Sequence, residues 1–348
     1  MGKKNILWIN YLKAISIIGV YIVHSQLAYG YWNRSLNNLI HPFYVNAFFF
    51  VSGYLLFRKQ LAESRINQNR RIWFLGEGKS FLKNIFYRLI IPTILFSIIE
   101  FFPSHLLRGL TFDTGVFLYK TFGGGTYWFT AALVVAEILI FVMLFSRKKN
   151  IWFYFGVGVI LYLIGHFLVS KEYSLFDAYP AFPWMYKHGL YAIVFLVIGG
   201  VYWYIEEKIY KYMTKTLLIF LIGVYVISLL VFPSFFHVLV STLDLNIPGI
   251  LLSILATVIL IELCKQLPCM SLLNYIGQNT IGFYFMSGAL PIVLSIFVHK
   301  FIQGCDIWGC MVVFIGSMLL ACTAVLVIKR WLPWMLDLRK LRSKNKIV

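Results

Sequence analysis

The sequence predicts an all-α protein, a polytopic membrane helix bundle of about ten transmembrane helices with both termini in the cytoplasm. The chain has 348 residues, of which 60% are hydrophobic and 13% charged, whereas about a quarter of the residues in a soluble domain are charged. Apolar segments long enough to cross a hydrocarbon core of ~30 Å recur along its whole length. The first of them lacks a secretory cleavage pattern, so we expect it to be retained as a helix.

The apolar segments predict ten spans and no appended soluble domain. The spans cover residues 6–28, 41–57, 84–103, 127–145, 151–169, 189–205, 216–232, 248–263, 275–298 and 307–328. We interpret residues 1–348 as a single integral-membrane domain, which ends in a basic cytoplasmic tail at 329–348.

The positions of the basic residues predict the orientation of the chain. Of 31 lysines and arginines, 24 lie in the alternate segments that include both termini, six lie in the other loops, and Lys13 lies within a span. This asymmetry places both termini in the cytoplasm by the positive-inside rule. The net charge of +18 is therefore explained by topology and by attraction to anionic lipid headgroups, and it does not indicate a nucleic-acid partner.

The first span carries two polar residues that are costly in hydrocarbon, Lys13 and His24. They are eleven positions apart, which places them on one helix face about 16 Å apart along the axis. Asn10 and Tyr21 fall on a similar flank, so we expect this side to face protein or a water-filled cavity. Lys13 can also be explained by snorkelling to the inner headgroups, and His24 by a structural hydrogen bond. Histidine suits removal of a proton from a hydroxyl or transient holding of an acyl group.

The second span offers His41 and Ser52 as further candidates. His41 lies on the same predicted outer side as His24, where the two histidines would form an acid–base pair. A simple interfacial histidine is the alternative. Ser52 precedes Gly53, and this pair also suits close helix packing, because small residues let membrane helices approach each other.

Charged residues mark the third and fourth spans. Lys83 and Arg88 lie at the cytoplasmic end of the third span, where they serve either as positive-inside anchors or as donors to a phosphate. Glu137 in the fourth span is an intramembrane carboxylate that requires a partner, and Lys13 is one candidate for that role.

The ninth span predicts a polar helix face made by Thr280, Tyr284 and Ser287, which follow the spacing i, i+4, i+7. A helix–helix interface held by small and hydroxyl side chains explains the same pattern.

The five cysteines form no metal-binding pattern. We expect them to be small buried hydrophobes. A disulfide between Cys305 and Cys310 near the outer face is the alternative.

At these residues the sequence resembles the integral-membrane acyltransferase 3 family, bacterial enzymes that O-acylate sugars of surface glycans. The resemblance spans almost the whole chain and depends on five motifs in the family's order. They are Lys13 followed by ten residues and His24, the run FFFVSGYLL, Arg88 with Pro92, Trp128-Phe129, and GQNTIGFY, which contains Asn279 and Tyr284.

Four features depart from the family pattern, one of which is that its paired arginines at the third helix are reduced here to Lys83 and Arg88. The family commonly has arginine at the position of Lys13, and lysine keeps the charge but loses bidentate geometry. It often has an acidic residue at the position of Asn10, and histidine at the position of Ser287. The last departure removes a second candidate base, so more of the chemistry is expected to depend on His24.

The resemblance implies acyl-CoA, most often acetyl-CoA, as a cosubstrate with no bound cofactor, and a glycan or lipid-linked sugar hydroxyl as acceptor. His24 would be general base or acyl carrier, with Lys13 and Glu137 as the other catalytic candidates. Arg58, Lys83 and Arg88 would bind acyl-CoA. The candidates for lining the acceptor site or cavity are Tyr21, His41, Ser52, Trp128, Asn279, Tyr284 and Ser287. We expect no metal, membrane lipids as neighbours, and a location in the bacterial cytoplasmic membrane.

Two other functions also explain why most of the chain consists of apolar spans. The first is an exporter or flippase of a polysaccharide or lipid-linked sugar, whose path the polar side of the first span would line. The second is a scaffold within a glycan-assembly complex, which gives no reason for buried Lys13 and Glu137.

Overall fold

The structure, a computed structural model, describes residues 7–61, 74–107, 111–146, 150–170, 184–231, 246–302, 304 and 306–340. These ranges are predominantly helical and contain no β-strand. The prediction of an all-α membrane protein is confirmed.

The α-helices differ widely in length. They are α1 (Leu7–Tyr29), α2 (Arg34–Ile40), α3 (Asn46–Gln60), α4 (Lys79–Ile85), α5 (Ile91–Leu107), α6 (Thr114–Phe122), α7 (Trp128–Phe145), α8 (Ile151–Ser170), α9 (Tyr186–Tyr212), α10 (Lys215–Val231), α11 (Ile247–Gln266), α12 (Ser271–Gln278), α13 (Thr280–Met286), α14 (Ala289–Val298) and α15 (Ile307–Trp331). Two π-helical turns, Phe74–Gly78 and Phe86–Ile90, flank α4, and a 3-10 helix, Pro333–Met335, follows α15.

Six helical segments of the described chain are long and apolar enough to cross a membrane. They are Leu7–Tyr29, Leu75–Pro103, Trp128–Phe145, Tyr186–Tyr212, Ile247–Gln266 and Ile307–Trp331. The pair α13 and α14, bent by 47°, makes a seventh if it is counted as one span. The chain is therefore a multi-pass membrane protein, while the cytoplasmic orientation of both termini stays a prediction.

The count of ten spans is not confirmed. Two further expected spans correspond to α8 and α10, whose apolar stretches Ile151–Phe167 and Lys215–Val231 adjoin residues outside the described part of the chain. The expected span at 41–57 is α3, which has 15 residues and covers about 22 Å, less than a hydrocarbon core of ~30 Å. Its expected first residues, His41 to Val45, form turns instead.

The described chain groups into two compact units. The first comprises Met1–Phe48 and Lys211–Trp331, and the second comprises Phe49–Tyr210 and Leu332–Val348. The boundary at Phe48 falls inside α3, so that helix contributes residues to both. The prediction of one domain over 1–348 stays a prediction.

In the first unit α1 packs against α11, α12, α14 and α15. Its approach to α12 requires glycine at 277, because a Cβ there would overlap the backbone carbonyl of Asn10. The Tyr11 hydroxyl donates to the Pro268 carbonyl at 2.9 Å and accepts from the Met270 N–H at 2.7 Å. These contacts hold α1 against the start of the 271–298 segment.

In the second unit the backbones of α3 and α9 approach each other closely. A Cβ at Gly53 would overlap the Leu196 carbonyl, and one at Gly199 would overlap the Phe50 carbonyl. Both glycines are therefore required by the packing. The interpretation of Gly53 as a close helix contact is confirmed.

The helix from Leu75 to Pro103 changes its hydrogen-bond pattern just before Pro92. Proline lacks an N–H and clashes with the carbonyl four residues earlier, here that of Arg88. The preceding turn widens, and the Ile91 N–H donates to the Phe86 carbonyl, five residues back. Such π-turns accommodate an interrupted helix. Arg88 lies within this turn.

Candidate active site

One side of α1 is attached to the segment 271–298 by side-chain hydrogen bonds. Asn10 Nδ2 donates to Asn274 Oδ1 at 2.8 Å. The fully buried Tyr21 donates its hydroxyl to the Phe283 carbonyl, also at 2.8 Å. The flank that the sequence analysis expected to face protein or a cavity therefore contacts protein at Asn10 and Tyr21.

His24 lies one helical turn beyond Tyr21 and is partly buried. Its imidazole lies near the backbone of Ser287. In a neutral imidazole one ring nitrogen is a donor and the other is an acceptor.

The segment expected as one continuous span over 275–298 is three helices, α12, α13 and α14. The predicted polar face of Thr280, Tyr284 and Ser287 assumed an unbroken helix, but α13 ends at Met286. The Thr280 hydroxyl donates to Gly277 O at 2.6 Å, and the Ser287 hydroxyl donates to Tyr284 O at 2.8 Å. Both hydroxyls are thus bonded to local backbone, and the Ser287 backbone lies near His24.

Asn279 stands at the first of the two helix breaks. It is buried, and its Nδ2 donates to the Tyr275 carbonyl at 2.7 Å. This bond satisfies a carbonyl at the end of α12, which otherwise lacks a helical partner. Asn279 therefore caps the end of α12 with its side chain. Whether it lines the acceptor site is not tested by this contact and stays a prediction.

The two other candidates in the first unit are Lys13 and His41. Lys13 is partly buried on α1. His41 is buried at the end of α2, where its ring centroid lies 5.2 Å from that of Tyr44 and 6.1 Å from that of Trp32. His41 thus lies in an aromatic environment, and its pairing with His24 stays a prediction.

In the second unit Arg58 belongs to a polar cluster on α3 and α9. The Tyr54 hydroxyl donates to Glu206 Oε2 at 2.6 Å and is also hydrogen-bonded to the exposed Arg58. No sequence motif marks Glu206, which lies just after the predicted span 189–205.

The chain after α15 binds back onto the helix around Arg88. The Leu338 N–H donates to the Tyr87 carbonyl at 3.3 Å, and the Arg339 guanidinium donates to Asn84 Oδ1. The basic tail predicted at 329–348 is thus attached to the second unit at 338–339, and its residues 341–348 lie outside the described part.

Asp337 lies between two guanidinium groups. Arg339 binds its carboxylate through two nitrogens at 2.8 and 2.6 Å, and Arg88 Nε lies 4.0 Å from Oδ2. Burial favours the neutral acid, but the hydrogen bonds and charge of Arg339 and the charge of Arg88 outweigh it and lower the pKa of Asp337. Arg88, predicted to bind acyl-CoA, remains 60% exposed, and Lys83 is exposed as well.

Glu137 on α7 interacts electrostatically with Arg88. Arg88 thus supplies a positive charge near this carboxyl, a pairing that no sequence motif indicates. The proposed pairing of Glu137 with Lys13 stays a prediction. In the second unit the positive charge of Arg88 therefore interacts with two carboxyl groups, that of Glu137 in the fourth predicted span and that of Asp337 in the tail.

Trp128 begins α7, with its ring centroid 5.6 Å from that of His188. The preceding residue, Tyr127, donates its hydroxyl to Glu100 Oε2 at 2.6 Å. Glu100 is a further carboxylate that sequence reasoning missed, since it lies at the end of an apolar span with no motif around it.

Ser52 is partly buried beside Gly53 on α3.

Among the described residues, no group of three or more histidine, cysteine or acidic side chains could hold a metal ion. Cys264 and Cys310 are buried free thiols, whereas Cys269 is exposed. The expectation of buried cysteines therefore holds for the first two and is wrong for Cys269. Cys305, the other half of the alternative disulfide, lies outside the described residues.

Comparison with protein families finds one match over nearly the whole chain. The family model described as "Acyltransferase domain" matches residues 6–330. Comparison with curated proteins and with solved structures gives no significant match.

Proposed function

The chain belongs to this acyltransferase family, and from that premise we propose that it transfers an acyl group, most readily acetyl, from cytoplasmic acyl-CoA to a sugar hydroxyl. The proposed acceptor is a bacterial surface or cell-wall polysaccharide or its lipid-linked precursor. The proposed location is the bacterial cytoplasmic membrane.

The observation that carries the proposal is the place of His24 on α1, one helical turn beyond the buried Tyr21 and near the backbone of Ser287 at the break between α13 and α14. A neutral imidazole at this position has one nitrogen suited to accept a proton. General bases need such a placed and basic group.

The proposed step couples transfer of the acyl group to transfer of a proton through His24. The free nitrogen of His24 takes the proton of the sugar hydroxyl while its oxygen attacks the thioester carbonyl carbon. The C–S bond then breaks, an ester forms, and the CoA sulfur leaves as a thiolate that takes the proton back from the imidazolium. In the covalent alternative the same nitrogen attacks the thioester first and then passes the acyl group to the hydroxyl.

Exposed basic residues support CoA as the carrier of the acyl group. Arg58, Lys83 and Arg88 are exposed in the second unit, and guanidinium and ammonium groups bind phosphates. A phosphate would compete with Asp337 for Arg88. We assign Lys13 a supporting contact to an anionic part of the donor, and Glu137 the role of holding Arg88.

The exporter or flippase hypothesis makes an opposite prediction for the glycan. Discontinuous membrane helices, such as α13 and α14, also occur in transporters, but the family match favours the enzyme. An exporter mutant would lose surface glycan, whereas an acyltransferase mutant would keep the glycan and lose its acyl groups.

Mass spectrometry of surface glycan from a deletion strain tests the proposal. The strain is complemented with wild type, with His24→Ala, or with His166→Ala, which changes an exposed histidine of α8. We expect acyl mass on the glycan with wild type and His166→Ala, and none with His24→Ala, at equal glycan amount. Normal acylation with His24→Ala would refute the role of His24, and reduced glycan amount in the deletion strain would favour the exporter.

A further inference from the structure

The tail after α15 binds to the backbone of the π-turn Phe86–Ile90. The Leu338 N–H donates to the Tyr87 carbonyl at 3.3 Å. In an α-helix that carbonyl would accept from the Ile91 N–H, but in the π-turn Ile91 donates to the Phe86 carbonyl instead. The wider turn therefore leaves a backbone acceptor for the tail, and this contact determines where the tail meets the helix.

The tail places Asp337 between two guanidinium groups. Arg339 binds its carboxylate through two nitrogens at 2.8 and 2.6 Å, and Arg88 Nε lies 4.0 Å from Oδ2. The Asp337 side chain is 14% exposed, compared with 43% for Arg339 and 60% for Arg88. The carboxylate is thus the least exposed of the three groups, and both cations remain accessible to a second anion.

Arg88 and Asn84 keep hydrogen-bonding capacity at this place. The 4.0 Å that separate Arg88 from Asp337 exceed the length of a hydrogen bond, and the Arg88 guanidinium donates to no residue in the described part of the chain. Asn84 accepts from Arg339 through Oδ1, and its amide nitrogen has no acceptor among the described residues. These groups therefore offer more N–H donors than the carboxylate of Asp337 satisfies.

The local charge favours a phosphate monoester over a carboxylate. Two guanidinium groups here share one carboxylate, and the exposed Lys79 and Lys83 lie on the adjoining helix α4. The guanidinium fork matches carboxylate and phosphate geometry alike. A phosphate monoester carries up to two negative charges and presents three acceptor oxygens. It would therefore balance more of the positive charge and accept from more of the donors than Asp337 does.

We propose that Arg88, Arg339 and Asn84 form a phosphate-binding site, in which the carboxylate of Asp337 lies where a phosphate would bind. The ligand rests on the proposed function, because the acyl-CoA donor carries a phosphate monoester on its ribose. The headgroup of phosphatidic acid, an anionic lipid, offers the same chemistry. Asp337 and Arg339 lie beyond residues 6–330, which match the family model, so the match assigns them no role.

The two tail residues should act on binding in opposite directions. Calorimetry measures the affinity of CoA for the full-length protein in discs of neutral lipid. Arg339→Gln should weaken binding roughly tenfold, because a charge-assisted hydrogen bond is lost. Asp337→Asn should strengthen it about two- to fivefold, because an exposed ion pair no longer competes.

Two controls accompany this measurement. Arg330→Gln changes an exposed arginine at the end of α15 and should leave the affinity unchanged. Dephospho-CoA lacks the monoester, so it should bind wild type and Arg339→Gln with similar affinity. An equal loss for CoA and dephospho-CoA in Arg339→Gln would overturn the inference.

A second experiment determines whether the phosphate comes from a lipid. Native mass spectrometry counts the phosphatidic acid molecules that the protein retains in detergent. If the lipid is the source, Arg339→Gln should retain less of it and Asp337→Asn more, while the CoA affinity of both stays at the wild-type value. Opposite effects with either probe support the site. Changes of the same sign in both variants, or no change with either probe, would overturn it, because a purely structural docking of the tail gives one sign.

Failure of the site and failure of the proposed function give different results. If both tail variants bind CoA and lipid as the wild type does while acyl transfer requires His24, the inference fails and the proposed function stands. If the wild type neither binds CoA nor transfers an acyl group, but the variants show opposite effects with phosphatidic acid, the proposed function fails and the phosphate site stands.

Discussion

The surroundings of His24 and those of Arg88 hold a candidate functional side chain by different physical means. Tyr21, one helical turn before His24, donates to the neutral Phe283 carbonyl, and His24 lies near the backbone of Ser287 at the helix break. Arg88 interacts with the carboxylates of Asp337 and Glu137, and it is 60% exposed. The first arrangement is short-ranged and partly or fully buried, whereas the second is long-ranged and open to solvent.

The two regions suit different steps of the proposed acyl transfer. A neutral hydrogen bond holds one geometry regardless of salt, which suits a group that must meet a hydroxyl at a defined angle. Exposed charges are screened within about 10 Å at 0.1 M salt, and they adapt to a mobile anion. We therefore connect the His24 region with the chemical step and the Arg88 region with binding of the donor.

The largest expected effect is that of His24→Gln. Glutamine keeps a polar N–H donor but has no basic nitrogen, so the turnover rate should fall about 10²- to 10⁴-fold, the usual contribution of a general base. The amount of protein inserted in the membrane should not change. The measurement is acetyl transfer per inserted protein, and a rate near wild type would mean that the role of His24 is structural.

Tyr21→Phe tests whether the carbonyl contacts hold α1 in place. The buried Phe283 carbonyl would lose its donor, so the protein should be less stable by about 1–3 kcal/mol. Thermal denaturation in detergent measures this. Tyr210→Phe, which changes a tyrosine that is 73% exposed, is the matched control and should leave the stability unchanged. Equal stability of both variants would remove the anchoring role of Tyr21.

Arg88→Gln should act on donor binding more than on turnover. Loss of one charge-assisted hydrogen bond to a phosphate, about 1.5–3 kcal/mol, should raise KM for acetyl-CoA roughly tenfold or more. Added salt should raise KM of the wild type and have less effect on the variant. Lys79→Gln, an exposed basic residue at the start of α4, is the control. A fall in turnover at unchanged KM would contradict the assignment.

The smallest expected effect is that of Asp337→Asn, because exposed ion pairs contribute about 0.2–1 kcal/mol. Although burial opposes it, Arg339 and Arg88 lower the pKa of Asp337 in the folded protein. The pairing therefore stabilises the fold above the unfolded-state pKa of about 3.9, and this contribution is lost as the pH falls through the lower, folded-state value.

The stability difference between wild type and Asp337→Asn, followed by denaturation, should accordingly be constant above about pH 5 and should shrink below about pH 4. A difference that instead disappears between neutral and alkaline pH would show that another group controls the docking of the tail.

The sequence was sufficient to predict the fold class. It was also sufficient to predict that Tyr21 and His24 lie on one side of α1, because helical periodicity is a local property. Composition likewise predicted a multi-pass membrane protein. Its count of ten spans is not confirmed, and an apolar run does not reveal where a helix begins. At 41–57 the helix starts only at Asn46.

The partners of the candidate residues were harder to predict. His24 and the nearby Ser287 are 263 positions apart in sequence, and Asp337 reaches Arg88 from the far end of the chain. Such contacts depend on how helices pack, which periodicity does not encode.

The most direct test of the central claim is transfer of radiolabelled acetyl groups from acetyl-CoA to glycan in sealed vesicles that contain the purified protein. We predict that wild type and His166→Ala transfer label to the glycan, and that His24→Ala, inserted in equal amount, does not. Label transfer by His24→Ala at the wild-type rate, or no transfer by the wild type with any acyl-CoA and glycan acceptor, would contradict the account.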